Sequence, residues 1–157
     1  MTKKVGCVLT LAMLAVVVNV GVASAAPITM KQAASQYVRD VGPVNNAVNE
    51  FVARITAWTN APNRTLAQTT PYVHDVVAQL VKFDRTMLSQ RWPVRSIRDV
   101  RALAQDVATF TGDVELLPTL GLFSVSQWSS SYARDENRMV IQADFVRRDL
   151  GLGMARG

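Results

Sequence analysis

Apolar residues recur at alternating steps of four and three, from Met30 through Ala34, Tyr37, Val41, Val44, Val48, Phe51 and Ile55 to Trp58. That spacing keeps a stripe on one side of an α-helix. The stripe runs through Gly42 and Pro43, a helix-breaking pair, without losing phase. Two independent helices would have no reason to share one register. The pattern therefore predicts a single helix from about Thr29 to Thr59. Proline removes one intrahelical hydrogen bond and presses on the carbonyl four residues back, which predicts a kink near Arg39 to Pro43.

Three further stretches follow the same logic. Asn60 to Arg64 reads as a loop, and Thr65 to Gln68 has the form of a capping box. Thr70 and Pro71 offer a second start, with proline as the first helical residue. Leu66, Val73, Val77, Leu80 and Met87 then keep the four-three phase, Thr70 and Asp84 fill its gaps, and Val76 and Phe83 widen it. This helix stops at Arg91, Trp92 and Pro93, because a residue before proline is pushed out of the helical region. Ser96 to Asp99 opens a third helix with a variant capping box; its seam is Ile97, Val100, Leu103 or Ala104, Val107, Phe110, Val114 and Leu117. Gly112 inside it costs up to about 1 kcal/mol against alanine, which predicts close packing with a neighbour.

Pro118 and Gly121 end the third helix, and Ser124 to Gln127 forms another capping box. The fourth helix runs to about Leu150, with Gly151 as its C-terminal cap. Its stripe is the weakest, since Trp128, Tyr132, Met139 and Phe145 or Val146 share it with Asp135 and Gln142. There is no strand alternation, internal repeat or low-complexity segment. Four amphipathic stretches on short connections predict an all-α chain, an up-down-up-down four-helix bundle with a proline-kinked first helix.

The residues before Ala26 have another character. Lys3 and Lys4, the apolar run Val8 to Val18 and the small residues Ala23 to Ala25 have the layout of a signal peptide cut after Ala25. An uncleaved anchor is the alternative, because apolar character runs loosely from Val5 to Val22; Asn19, Gly21 and the small-residue site argue against it. The expected organisation is a signal peptide over 1–25 and one helical domain over 26–157. Its location is then extracytoplasmic, with no stable membrane span after cleavage. Cys7 is the sole cysteine and falls in the leader, so residues 26–157 contain no thiol and depend on their core for stability. The formal charge of +5 drops by two without Lys3 and Lys4, a mildly basic balance that calls for no nucleic-acid partner.

Several short motifs carry a resemblance. "YVRDVGPVN" (Tyr37 to Asn45), "FDR" (Phe83 to Arg85), "RWP" (Arg91 to Pro93) and "DLGL" (Asp149 to Leu152) resemble a group of small secreted helical proteins of actinobacteria, of mycobacterial type. The resemblance implies an exported helical domain in a Gram-positive-type envelope. That group has no assigned activity, so the resemblance implies no catalytic residue.

Elimination narrows the chemistry. His74 is the sole histidine, and its neighbour Asp75 is expected on another side of the helix. No serine lies in a nucleophile-elbow pattern. A single histidine excludes the paired Glu-x-x-His motifs of a di-iron bundle. Zinc-ligand spacing, phosphate-cradling glycine loops and calcium-loop spacing are absent. No catalytic residue, metal site or cofactor is expected.

Three constellations remain. Arg91, Arg95, Arg98 and Arg101 crowd one connection and suit phosphate or carboxylate, against the plainer reading of a solvated face balanced by Asp99. Tyr72 and His74, with Trp128 and Tyr132, suggest a pocket for a small apolar ligand, either lipid or haem, against the plainer reading of core aromatics and a surface histidine. Asn45, Asp84, Asp135 and Gln142 lie at or near seam positions and suggest a buried polar network that fixes helix register. The sequence thus points to a secreted, non-enzymatic binding or structural protein of the cell envelope. Its partner would be an envelope protein, anionic polymer or lipid, and a carrier of an apolar ligand is the second reading.

Overall fold

One uninterrupted helix, α1 (Met30–Thr59), carries the chain through Gly42 and Pro43. The structure is a computed structural model that describes residues 26–154, apart from the side chain of Phe123. The signal-peptide reading and Cys7 fall on residues 1–25 and lie outside the described residues. Thr29 caps α1. Its hydroxyl accepts from the Gln32 N–H at 3.3 Å, and Gln32 Oε1 accepts from the Thr29 N–H at 2.9 Å. This reciprocal pair satisfies two donors that the first turn would leave open.

The inward face of α1 is the predicted one. Tyr37, Val44, Phe51 and Trp58, each seven residues from the next, are all buried, as is Val48. Val41 and Ile55 flank this row and are half-buried, while Pro43 is exposed. The register therefore survives the proline. It differs from expectation only at the first turn, where Met30 is exposed and Ala33, not Ala34, is fully buried. Ala33 stands four residues before Tyr37 and shares its face.

A short 3₁₀ turn, Leu66–Thr69, leads into α2 (Thr70–Ser89), with Pro71 in its first turn. Gln68 Oε1 accepts from the Thr65 N–H at 3.0 Å, so the Thr65–Gln68 motif closes on the 3₁₀ turn and not on the α-helix. The α2 stripe is Val73, Val76, Leu80, Phe83 and Met87, while Val77 and Asp84 sit half-buried at its edge. The face is turned slightly from the predicted seam because Phe83 packs edge-on against Tyr37, with centroids 6.4 Å apart. Burying Phe83 in an aromatic pair removes more apolar area from water than burying its seam neighbour Asp84 would.

The third and fourth helices are α3 (Ile97–Leu116) and α4 (Val125–Asp149), joined through 3₁₀ turns at Leu117–Thr119 and Leu122–Ser124. The capping boxes predicted at Ser96 and Ser124 do not form. Both serines already have near-helical dihedrals (φ −99°, ψ −11° and φ −89°, ψ −6°). A side chain reaches back to cap a helix from extended dihedrals instead. Ser96 is fully buried and its hydroxyl donates to the Pro93 carbonyl at 3.2 Å. The far end of α4 closes as predicted: Gly151 takes φ +73°, its N–H donates to Arg148 O at 3.1 Å, and the Leu152 N–H donates to Arg147 O at 2.8 Å. These are the two bonds of a Schellman motif.

Packing proceeds in chain order, α1 on α2, α2 on α3 and α3 on α4. The Tyr37 hydroxyl, 3.4 Å from Ala143 O, ties α1 to α4. Each tryptophan indole donates to a main-chain carbonyl: Trp58 to Thr65 at 2.9 Å, Trp92 to Met87 at 2.6 Å and Trp128 to Asp113 at 2.6 Å. Tyr132 sits among Phe110, Trp128 and Phe51, at centroid distances of 4.9, 5.2 and 6.0 Å. Among the described residues there is no strand, and no helix is long and apolar enough to cross a membrane.

Gly112 does not pack closely. It is exposed, and a Cβ built on it would meet nothing within 4 Å. Gly112→Ala should therefore stabilise the protein by up to about 1 kcal/mol, seen as a higher urea midpoint at unchanged m-value, because alanine restricts the unfolded chain without a clash.

Candidate functional site

The connection between α2 and α3 is stapled at three consecutive residues. Arg91 O accepts from the Ile28 N–H at 3.0 Å, and the buried Trp92 donates its indole proton to Met87 O. Pro93 O accepts from the Ser96 and Ile97 N–H groups at 2.9 and 3.1 Å. What this connection presents outward is Val94, 85% exposed, between the exposed Arg91 and Arg95. Arg98 and Arg101 continue the patch along the first turns of α3 and are exposed too. Arg95, Arg98 and Arg101 make no ion pair among the described residues. Asp99, the expected counter-charge, lies 3.9 Å from Arg148 instead.

The patch belongs to a larger asymmetry. Contacts between segments fall into two groups, split near Pro43, Leu80, Leu103 and Val140: Ile28–Arg91, Tyr37–Phe83, Tyr37–Ala143 and Arg148–Asp99 lie on one side, and Trp58–Thr65, Phe51–Tyr132, Arg138–Asp106 and Trp128–Asp113 on the other. On the side with Arg91, ten cations (Lys31, Arg39, Lys82, Arg85, Arg91, Arg95, Arg98, Arg101, Arg147 and Arg148) face five aspartates (Asp40, Asp84, Asp99, Asp144 and Asp149), a formal +5. On the other side, four cations (Arg54, Arg64, Arg134 and Arg138) face seven acids (Asp75, Asp106, Asp113, Asp135 and Glu50, Glu115, Glu136), a formal −3. The described residues therefore have a basic end and an acidic end.

The polar cluster that exists is not the predicted one. Asp99, Asp106 and Asp113 stand seven residues apart on α3, along its edge with α4. Arg138 on α4 reaches Asp106 at 3.0 Å, and the Gln142 amide donates to Asp99 O at 3.2 Å. Asp135 is buried and accepts two bonds from Arg134 at 3.1 Å. Its carboxyl also lies within hydrogen-bonding reach of Asp113, whose Oδ2 is buried and meets no donor in the protein. Two ionised carboxylates are both acceptors, so a bond between them needs one proton. Burial first, then Asp135, raises the Asp113 pKa; Arg134 first, then Asp113, holds Asp135 low. Of the two, Asp113 is the carboxyl whose protonated form this site favours.

Of the other predicted network members, Asn45 is exposed, while Asp84 and Gln142 are half-buried on different helix pairs. The four do not form one network. Seam position alone misplaced Asn45, which lies one residue past the buried Val44 and faces the rim of a small α1–α4 cleft. The sequence signal that was missed is the seven-residue aspartate spacing on α3.

The predicted pocket residues also separate. Tyr72 and His74 line an open groove of about 430 Å³ between α1 and α2, where the Arg54 guanidinium lies 5.1 Å over the Tyr72 ring and pairs with Glu50. His74 is a surface residue whose Nδ1 lies 3.9 Å from the exposed Asp75, nearer than helix geometry suggested but beyond hydrogen-bond length. Trp128 and Tyr132 lie in the aromatic cluster on the far side of Phe51, which floors the groove. No group of three or more metal-ligating side chains occurs among the described residues. Comparison of the chain with family models, with curated proteins and with solved structures finds no match.

The carboxyl pair makes a pH prediction. A raised pKa in the fold contributes stability below the unfolded value and loses it as pH rises through the folded one. Asp113→Asn removes that loss and keeps a donor for Asp135. The melting temperature of the variant relative to wild type should therefore climb from acid to neutral pH, and a difference that is flat with pH would contradict the shared proton. The aromatic cluster makes another. The buried Tyr132 hydroxyl has no partner in the protein, so Tyr132→Phe should change stability by less than about 1 kcal/mol. Tyr132→Ala should cost about 3–5 kcal/mol in denaturant melts.

Proposed function

We propose that this chain is an exported, non-enzymatic helical protein of the cell envelope that holds an anionic envelope component against its basic end. The observation that supports the binding reading is the segregation of charge, with three arginines on and beside a stapled connection left without acidic partners. An exposed guanidinium that is not occupied by a carboxylate of its own chain is available to phosphate or carboxylate. The layout of residues 1–25 and the resemblance of the short motifs support export and an actinobacterial source. Contacts that run in opposite order along neighbouring helices support the up-down-up-down arrangement, for instance Asp106 with Arg138 and Asp113 with Trp128. A bend at Pro43 belongs to the same reading.

The carrier reading has less behind it. Phe51, Phe110, Trp128 and Tyr132 fill the core where a ligand would sit, and the apolar cleft between α1 and α4 measures about 50 Å³. Ligand pockets are several times larger.

Binding to polyphosphate, a soluble anionic polymer, tests the proposal. Wild-type affinity should fall with added salt, and the triple variant R95A/R98A/R101A should bind about tenfold to a hundredfold more weakly with an unchanged helical circular dichroism spectrum. Equal binding by the two proteins would remove the arginine patch from the function.

A further inference from the structure

We infer that the basic end is a membrane-docking face whose partner is the anionic phospholipid surface of a bilayer, with Val94 entering the interface. The inference rests on the anion-binding reading above and adds the partner. Val94 is the most exposed large apolar residue of the described chain at 85%, and Leu88 (61%) and Met154 (69%) stand at the same end. A lone exposed valine means little on a protein surface.

What distinguishes Val94 is the way its connection is held. Trp92 on one side is 3% exposed and Ser96 on the other is fully buried, and the carbonyls of Arg91 and Pro93 are both engaged. The fold fixes the valine outward, between two arginines, and gives it no room to collapse onto the core. That arrangement matches the boundary between headgroups and acyl chains. Guanidinium groups reach lipid phosphates while their stems and a short apolar side chain lie deeper. A soluble polyanion has no use for Val94; a bilayer engages the valine and the arginines together.

Orientation and chain path agree with this placement. The basic end is drawn to a negative leaflet and the acidic end is repelled, so the field sets the direction of approach within about a Debye length. The chain also enters the domain at this end, since Ile28 is bonded to Arg91 O two residues after the exposed Ala26. The apolar run Val8 to Val18 precedes that point in sequence.

The test uses protein purified from the producing cell, with its N-terminus read by mass spectrometry. Cosedimentation is measured with vesicles of phosphatidylcholine alone and of phosphatidylcholine mixed with phosphatidylglycerol. Phosphatidylglycerol should raise partitioning of the wild type by about tenfold or more. R95A/R98A/R101A should lose about a hundredfold of the phosphatidylglycerol-dependent partitioning, since each basic residue near a charged surface counts for about one factor of five. Val94→Asn should lose about tenfold on vesicles while binding polyphosphate as wild type does. Val52→Asn, on the acidic half, should change neither. Equal partitioning onto the two vesicle types, or undiminished vesicle binding by Val94→Asn, would overturn the inference. Polyphosphate binding by a protein that ignores phosphatidylglycerol would leave the anion-binding reading standing and remove the lipid, whereas failure on both ligands would remove both. All the replaced side chains are exposed, and circular dichroism melts of each variant serve as the control for folding.

Discussion

The inward row of α1 is the constraint on which the other helices depend. Tyr37, Val44, Phe51 and Trp58 are spaced by sevens, and the three aromatic members reach α2, α4 and the turn before α2. Tyr37 packs on Phe83 of α2 and bonds Ala143 of α4, Phe51 meets Tyr132, and Trp58 holds the carbonyl of Thr65. A slip of one residue at Pro43 would rotate half of this row by about 100°. Either the Tyr37 contacts or the Phe51 and Trp58 contacts would then face solvent. Several buried aromatic contacts outweigh the one hydrogen bond that proline removes. Burial at this row is deep enough to push the Tyr37 phenol up to about 12.

The α3–α4 seam solves a different problem. The α4 stripe is short of apolar residues, and its centre is occupied by Asp135. Apolar packing holds its ends, through Trp128 and Tyr132 at one and Val146 at the other. Between them the register is set by directed polar contacts from α3 at seven-residue intervals. Such contacts add little net stability, because desolvating the charges offsets the attraction, but they penalise a shifted alignment heavily. A slip would leave Asp135 buried without Asp113, or Asp106 without Arg138.

This division explains what the sequence could disclose. Helix number, the phase across Pro43, the α3 seam and the Gly151 cap are all consequences of local periodicity or local dihedral preference, and all are legible in the chain. The caps at Ser96 and Ser124 were misread because the motif assumes an extended cap residue, and pinning at Pro93 and the 3₁₀ turn before Val125 deny both serines that geometry. Close packing at Gly112 was misread because a glycine in a helix is equally compatible with open solvent. Tyr72 and His74 part from Trp128 and Tyr132 because Phe51 stands between them, and no spacing within one helix reports what another helix inserts. The aspartate row was visible as spacing, but its meaning depends on Asp135 and Arg138 arriving from the other side of a tertiary contact.

Net charge was the least informative number in the sequence, because the fold sorts the charges that it sums. Every cation of the acidic half has found a use within the chain. Arg54 pairs with Glu50 and covers Tyr72, Arg64 lies over Trp58, Arg134 holds Asp135, and Arg138 bridges to Asp106. Arg95, Arg98 and Arg101 have no such employment, although the same chain places acids beside arginines elsewhere. Crowding like charge at one end opposes the compact state through self-repulsion. The core does not require it, since Trp92, Ser96 and Val100 could hold this corner with neutral residues between them. An arrangement that opposes folding and contributes nothing to the interior is the feature on which the proposed anionic partner rests.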